Sequence, residues 1–121
     1  MTNLEEVLAA LKGATEIELS VKGRVSGKVS ARPVWFVLGK DNRSIALIPV
    51  NGRNTQWYLN ALKDPNVSVR VAGYSFPGRI REVNEERLTG VLEMFTAKYG
   101  KRNMEMYYPS KEVAVELPLT S

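Results

Sequence analysis

Two glycines and three cations crowd into ten residues of this chain: Gly23-Arg24-Val25-Ser26-Gly27-Lys28, then Arg32. Gly23 and Gly27 permit backbone angles that residues with a Cβ resist, so successive turn amides can converge on an anion. Arg24, Lys28 and Arg32 bring positive charge to the same place, and Ser26 brings a hydroxyl. Two readings follow from these residues alone. One is a solvated, basic β-hairpin; the other is a pocket for a phosphorylated cofactor.

What the chain lacks narrows its chemistry further. Its 121 residues include no cysteine and no histidine. Thiolate chemistry, imidazole general-base catalysis and histidine-ligated zinc are therefore unavailable, and no metal site is expected. An enzyme of this composition relies on a bound cofactor for its chemistry and supplies position and electrostatics itself. The net charge of +4, from 17 Lys and Arg against 13 Asp and Glu, suits an anionic small molecule. The cations are dispersed, with no polybasic block and no basic-aromatic motif, which argues against a nucleic-acid partner. No apolar run approaches the roughly 20 residues that cross a bilayer. The N-terminal Met1-Thr2-Asn3-Leu4-Glu5-Glu6 is unlike a secretory signal, so a cytoplasmic location is the default.

The elements that must position these residues are short, and the length predicts a single domain over 1–121. Leu4, Val7, Leu8 and Leu11 recur at helical spacing, with Thr2 and Glu5 as a capping box and Gly13 as the stop. Ile17, Leu19 and Val21 alternate with polar residues, a half-buried strand. A second strand over Val29 to Leu38 is apolar on both faces at its far end and reads as covered on both sides. Ile45 to Val50 predicts a third strand, and Thr55 to Lys63 a helix ended by Asp64-Pro65. Val67, Val69 and Val71 predict a fourth strand; Ser75 to Val83 predicts a fifth, bent or placed at an edge by Pro77 and Gly78. Asn84 caps the longest helix, with Leu88, Val91, Leu92, Phe95 and Tyr99 on its apolar face and Gly100 at its end. Lys101 to Lys111 reads as irregular, and Val113, Val115 and Leu117 as a sixth strand. The fold class is thus mainly β or α+β, a six-stranded antiparallel split β-barrel with small flanking helices. Side chains fill so small a barrel, so a large cofactor needs an external groove.

Several pieces occur in a telling order: Gly-Arg-x-Ser-Gly at Gly23 to Gly27, Pro33-Val34-Trp35-Phe36-Val37, Asn51-Gly52, and Trp57-Tyr58-x-Asn60-x-Leu62-x-x-Pro65-x-Val67-x-Val69. Over roughly residues 16 to 85 the chain resembles the deazaflavin-dependent nitroreductase family of the flavin-binding split-barrel superfamily, which includes pyridoxamine-phosphate-oxidase-like proteins. The resemblance implies an oxidoreductase, commonly a homodimer, that binds coenzyme F-420 in a groove beside the barrel. Such an enzyme transfers hydride between the coenzyme and an electron-poor organic acceptor. Flavin mononucleotide (FMN) is the alternative cofactor, and a non-catalytic carrier is the alternative role. The resemblance places Arg24, Ser26, Gly27 and Lys28 at the cofactor phosphate, and Pro49, Val50, Asn51, Gly52, Arg53 and Trp57 beside its ring. Relatives often carry an arginine where this chain has Ser30; Arg32, two residues on along a strand, returns to the same face and substitutes for it. The loop at Asn51 to Arg53 is shorter than in relatives and lacks their lysine. No residue is identified as catalytic.

Other readings of these residues remain open. Trp57 with Tyr58 and Leu62 also fits a helix packed on the barrel, and Trp35 and Phe36 fit barrel core. Arg79 and Arg81 fit a solvated edge strand. Tyr99, Tyr107 and Tyr108 are candidates for a substrate wall.

Overall fold

In a computed structural model, residues 4–119 are described. Helix α1 (Leu4–Gly13) buries Val7 and Leu11, with Glu5 and Glu6 at its positive end and Lys12 at its negative end. Thr2, half of the expected capping box, lies outside the described residues. Strand β1 (Glu16–Lys22) alternates as its sequence dictates, with Ile17, Leu19 and Val21 inward. It pairs antiparallel with β2 (Val29–Trp35) on one side and β5 (Asn66–Val71) on the other, and β6 (Tyr74–Arg79) completes a sheet ordered β2-β1-β5-β6. A second sheet is ordered β3-β4-β8-β7, from β3 (Val37–Leu38), β4 (Ser44–Leu47), β7 (Arg81–Glu82) and β8 (Val115–Pro118). The helices are α2 (Gln56–Lys63), α3 (Glu85–Tyr99) and α4 (Lys101–Tyr107), with a single 3-10 turn at Gly52–Asn54 before α2.

The fold is α+β, with eight strands rather than the expected six, in two antiparallel sheets that do not close into one barrel. The expected second strand breaks at Phe36: β2 is the edge of one sheet and β3 the edge of the other. The expected fifth strand breaks at Ile80 in the same manner, between β6 and β7. The sheets are therefore joined at both seams by chain continuity and not by strand pairing. Period-two alternation continues through a crossing residue, so a sequence pattern cannot reveal it. Both crossing residues are buried.

Burial obliges the crossing backbone to find partners outside the ladders. The Ile80 N–H donates to the Pro65 carbonyl at 2.9 Å. At Phe36 the partners come from α3: its N–H donates to the Tyr99 hydroxyl at 3.0 Å, and its carbonyl accepts from Lys98 Nζ at 2.9 Å. The Tyr99 hydroxyl in turn lies 2.6 Å from the Thr15 carbonyl and 2.9 Å from that of Phe36. Lys98 Nζ also stands 3.6 Å above the Phe36 ring, and burial pushes its pKa down to about 8. Burial pushes the Tyr99 phenol up to about 12.

Other expectations shift for local reasons. The third strand ends at Leu47 instead of Val50, since Pro49 has no N–H for a ladder. The sixth begins at Val115. Lys101 to Lys111 is not irregular throughout: Gly100, at φ 93°, ends α3 and immediately starts α4. The Asn84 cap is present, its side chain accepting from the Arg87 N–H at 3.0 Å. The near end of β2 is not covered on both sides, because Val29 to Pro33 are all exposed. No helix among the described residues is long and apolar enough to cross a membrane.

Two hydrophobic clusters result. The larger fills the space between the sheets beneath α1 and α2, and the smaller packs α3 and α4 on β3 and β4 through Val91, Phe95, Met104 and Tyr108. Glu116 of β8, only 3% exposed, lies beside the second cluster and is held by Arg87 in a two-bond fork at 2.9 and 2.6 Å. Arg81 adds a third bond at 2.7 Å.

Replacing Tyr99 by Phe keeps the ring packing and strips the seam of its hydroxyl, so stability should fall by about 1–3 kcal/mol in urea denaturation. A second expectation concerns acid. The Arg87 bonds hold the Glu116 carboxyl below its ordinary 4.5, so below that pH the unfolded chain binds the proton first. Stability from this group is therefore full above pH 4.5 and is lost as pH falls through the lower folded value. Glu116→Gln should be destabilised by about 1–3 kcal/mol at neutral pH, and the gap between its urea midpoint and that of the parent should narrow progressively as pH falls below 4.5.

Candidate functional site

Along the open side of β2 runs a groove of about 490 Å³, walled opposite by Val50, Asn51, Gln56 and Trp57. One end is aromatic. Trp35, the last residue of β2, stacks on Tyr99 with centroids 4.2 Å apart and planes within 5°. Tyr107 meets the same indole edge-on at 5.6 Å, and Tyr108 at 5.9 Å. Trp35, Tyr107 and Tyr108 line the groove while Tyr99 backs them. Burial pushes the Tyr108 phenol well above its ordinary range, so it remains a neutral hydrogen-bonding group.

A second hollow, about 380 Å³, lies around the glycine turn; Lys22, Arg24, Ser26, Gly27, Asn60 and Lys63 line it, with Asp64 as its one acidic residue. The turn closes through Gly23 N–H to the Lys28 carbonyl at 2.8 Å and Gly27 N–H to the Gly23 carbonyl at 3.0 Å. Gly27 has φ 74°, a left-handed conformation that disfavours any side chain. The Lys28 N–H donates to Ser26 Oγ at 3.1 Å, so that amide is directed within the turn.

Helix α2 joins the two hollows. Arg24 Nη1 donates to Asn60 Oδ1 at 2.7 Å, and its backbone N–H donates to the same oxygen at 3.1 Å. Arg24 Nη2 donates at 3.1 Å to Gln56 Oε1, and Gln56 lines the aromatic groove. Lys63 Nζ donates to the Arg24 carbonyl at 3.1 Å. Gln56, Asn60 and Lys63 are spaced i, i+4, i+7 and form one polar stripe opposite the buried Trp57, Tyr58 and Ala61.

The partners of the arginines separate them into two kinds. Arg53, Arg81 and Arg87 are each paired with a carboxylate. Arg24 is held by neutral amide oxygens, which fix its position and leave its charge uncompensated. Arg32 is exposed on the groove lining.

The expected site residues divide accordingly. Arg32, Val50, Asn51 and Trp57 line the groove, and Arg24, Ser26 and Gly27 the basic hollow. Lys28, Pro49, Gly52 and Arg53 line neither. Pro49 and Gly52 are buried. Gly52 has φ 58°, and a Cβ there would run into Glu112 and Ser110. Arg53 faces a structural cluster: its Nη1 donates to the Tyr58 hydroxyl and to Glu82, each at 2.9 Å, and its N–H donates to Glu112 at 2.9 Å. Tyr58 and Arg53 together hold the Glu82 carboxyl below its usual range. Trp57 is 3% exposed in the main core, packed as the barrel-helix reading expects, and also forms part of the groove wall.

Gln56, Asn60, Lys63, Tyr107 and Tyr108 complete the two hollows and were not among the expected cofactor contacts. The stripe on α2 was readable at helical spacing, beside the apolar stripe that announced the helix. Met104 and Tyr108, both buried and four apart, carried the corresponding signal for α4. A larger hollow of about 660 Å³ lies between the β3–β4 turn and α3. Its lining mixes Lys40, Asp41, Arg87 and Glu93 without an aromatic wall, so it suits a planar anion less well.

Comparison with known proteins fits this geometry. Residues 2–117 match the model of a family described as F420H(2)-dependent quinone reductase. Among solved structures, one titled as an F420-H2 dependent reductase is 19% identical, with 85% of this chain and 93% of that chain covered and a TM-score of 0.66. A conserved hypothetical protein from Mycobacterium tuberculosis is 18% identical over 100% of this chain and 81% of its own, with a TM-score of 0.73. A structure titled as a domain-swapped dimer is 19% identical, covering 95% and 92%, with a TM-score of 0.66. At these identities the structures speak to the shared fold. A search of the curated proteins finds no match.

Proposed function

The chain belongs to the F420H(2)-dependent quinone reductase family, and on that premise we propose that it binds coenzyme F-420 along β2 and reduces a quinone-like acceptor. The observation that carries this reading is the bond from Arg24 to Gln56, which joins an aromatic groove to a hollow with three cations, Lys22, Arg24 and Lys63, against one carboxylate, Asp64. A planar ring linked to a phosphate and an acidic tail needs both, in that order. Trp35, Tyr107, Tyr108 and Trp57 offer apolar walls for the ring, and Asn51 and Gln56 offer amides to its polar edge. Arg32, Arg24, Lys22 and Lys63 lie along the path of the anionic part.

When bound, F-420 supplies a two-electron hydride donor, so no nucleophile is required of the protein. The chain's own part is to bind, orient and exclude water. Trp35 is fixed from behind by Tyr99, which makes the ring wall rigid. The protonated phenol of Tyr108 can donate to an acceptor oxygen as negative charge develops on it. The same reading includes a homodimer: β2 is an edge strand, Val29 on it is 68% exposed, and a second copy would cover both.

Arg32 is exposed, so Arg32→Ala should leave the fold intact and weaken F-420 binding by about 1.5–3 kcal/mol, the scale of a charged hydrogen bond. Titration of the coenzyme's fluorescence measures this, and the loss should shrink as salt is raised. Unchanged affinity would remove Arg32 from the site, and saturable binding of FMN alone would overturn the choice of cofactor. Binding without turnover of any quinone would make the protein a carrier. Sedimentation equilibrium should give twice the chain mass; a monomer at micromolar concentration would reject the dimer.

A further inference from the structure

The groove along β2 is electrically polar. Among its lining residues one side chain is acidic and one basic, Glu16 and Arg32. Glu16 opens β1 and sits directly across from Trp35 in the ladder, whereas Arg32 lies opposite Leu19. Three residues of extended chain, about 10 Å, therefore separate the cationic end from the aromatic, acidic end. Glu16 is exposed, and among the described residues its carboxylate is in no ion pair. Its charge reaches the aromatic cluster, where, after burial, it contributes to raising the Tyr99 phenol. A carboxylate beside Trp35 does nothing for the ladder that a neutral residue would not do, and it charges the end of the groove that Arg32 does not reach.

We propose that Glu16 sets the charge selectivity of the acceptor end: it repels anionic acceptors and leaves neutral quinones as the substrate class. This rests on the reading of the groove as a quinone reductase site. It follows from Coulomb's law in a half-open groove, where a like charge about 5 Å away weakens binding several-fold at moderate salt. The anionic part of the cofactor is thereby drawn toward Arg32, while Glu16 acts at the aromatic end, where the ring meets the acceptor. Glu18, two residues on along the exposed face of β1, carries the same charge but does not line the groove.

The test needs no coenzyme. Both tryptophans of the chain, Trp35 and Trp57, line the groove, so saturable quenching of intrinsic fluorescence reports binding there. A neutral hydroxymethyl anthraquinone and anthraquinone sulfonate are titrated against the full-length protein, Glu16→Gln and Glu18→Gln. The parent should prefer the neutral quinone. Glu16→Gln should tighten sulfonate binding by about five- to twentyfold and leave the neutral quinone within about twofold, with the gain fading at high salt. Glu18→Gln should change neither. The proposal fails if Glu16→Gln leaves the preference unaltered, or if Glu18→Gln shifts it equally. Absence of saturable quenching by the neutral quinone in the parent would instead overturn the acceptor site itself, and this proposal with it.

Discussion

Much of this molecule depends on how the backbone at Phe36 is satisfied. A strand that leaves one sheet for another has at least one residue that neither ladder serves, and here that residue is fully buried. An unpaired buried amide costs about 1–3 kcal/mol, a large share of the net stability of so small a protein. The Tyr99 hydroxyl and Lys98 ammonium supply the missing partners from one turn of α3. Tyr99 thereby fixes the seam, the end of α3 and the start of β1 through Thr15 at one point. Its ring is then in place to stack on Trp35. The aromatic wall of the groove is thus a consequence of closing the seam.

The arrangement of charge follows a related rule. Where an arginine stabilises the fold, it meets a carboxylate: Arg53 with Glu82, and Arg81 and Arg87 with Glu116. The Arg53–Glu82 pair is nearly neutral toward a passing anion, and Glu116 offsets one of the two charges of Arg81 and Arg87. Arg24, which faces the basic hollow, instead has amide oxygens as partners, and these accept hydrogen bonds without cancelling charge. Arg24 is therefore pre-positioned and still a full cation, the state that favours a phosphate over water. The glycine turn contributes shape, and α2 contributes the amides that hold the arginine in that shape. Gln56 extends the same network to the wall of the groove, so the two hollows are positioned together.

How much of this was legible in the sequence depends on the range of the interaction. Local patterns were readable: the alternation of Ile17, Leu19 and Val21, the Asn84 cap, the glycine turn and most of the packed face of α2 appear as expected, although Leu62, expected on that face, is 63% exposed. The breaks at Phe36 and Ile80 were not, since the strand period runs through both and only the second sheet decides where each strand changes partners. The resemblance implied Arg53 beside the cofactor ring, but not that Glu82, 29 residues away, engages its guanidinium. Arg24 and Arg32 were legible as cations, but the amide partners that distinguish Arg24 from Arg53 are set by tertiary contacts. Tyr107 and Tyr108 were legible as wall candidates, but the helix α4 that leads to them was concealed by Gly100, which reads as a stop and here also begins the next helix.

These constraints explain how a chain without histidine or cysteine can host redox chemistry. Holding two reactants in register can lower a barrier by about 7–11 kcal/mol, more than the roughly 3–5 kcal/mol that a positioned acid or base provides, but only if the walls do not yield. Each wall of this groove has a second reason to be rigid. Trp35 is clamped by the residue that closes a seam, Trp57 is part of the main core, and Gln56 is tied to the turn through Arg24. The more exposed features, Arg32, Glu16 and Tyr107, are those to which the proposed function gives the sorting of ligands by charge and shape. Positioning is thereby assigned to residues the fold cannot do without, and discrimination to residues it can lose.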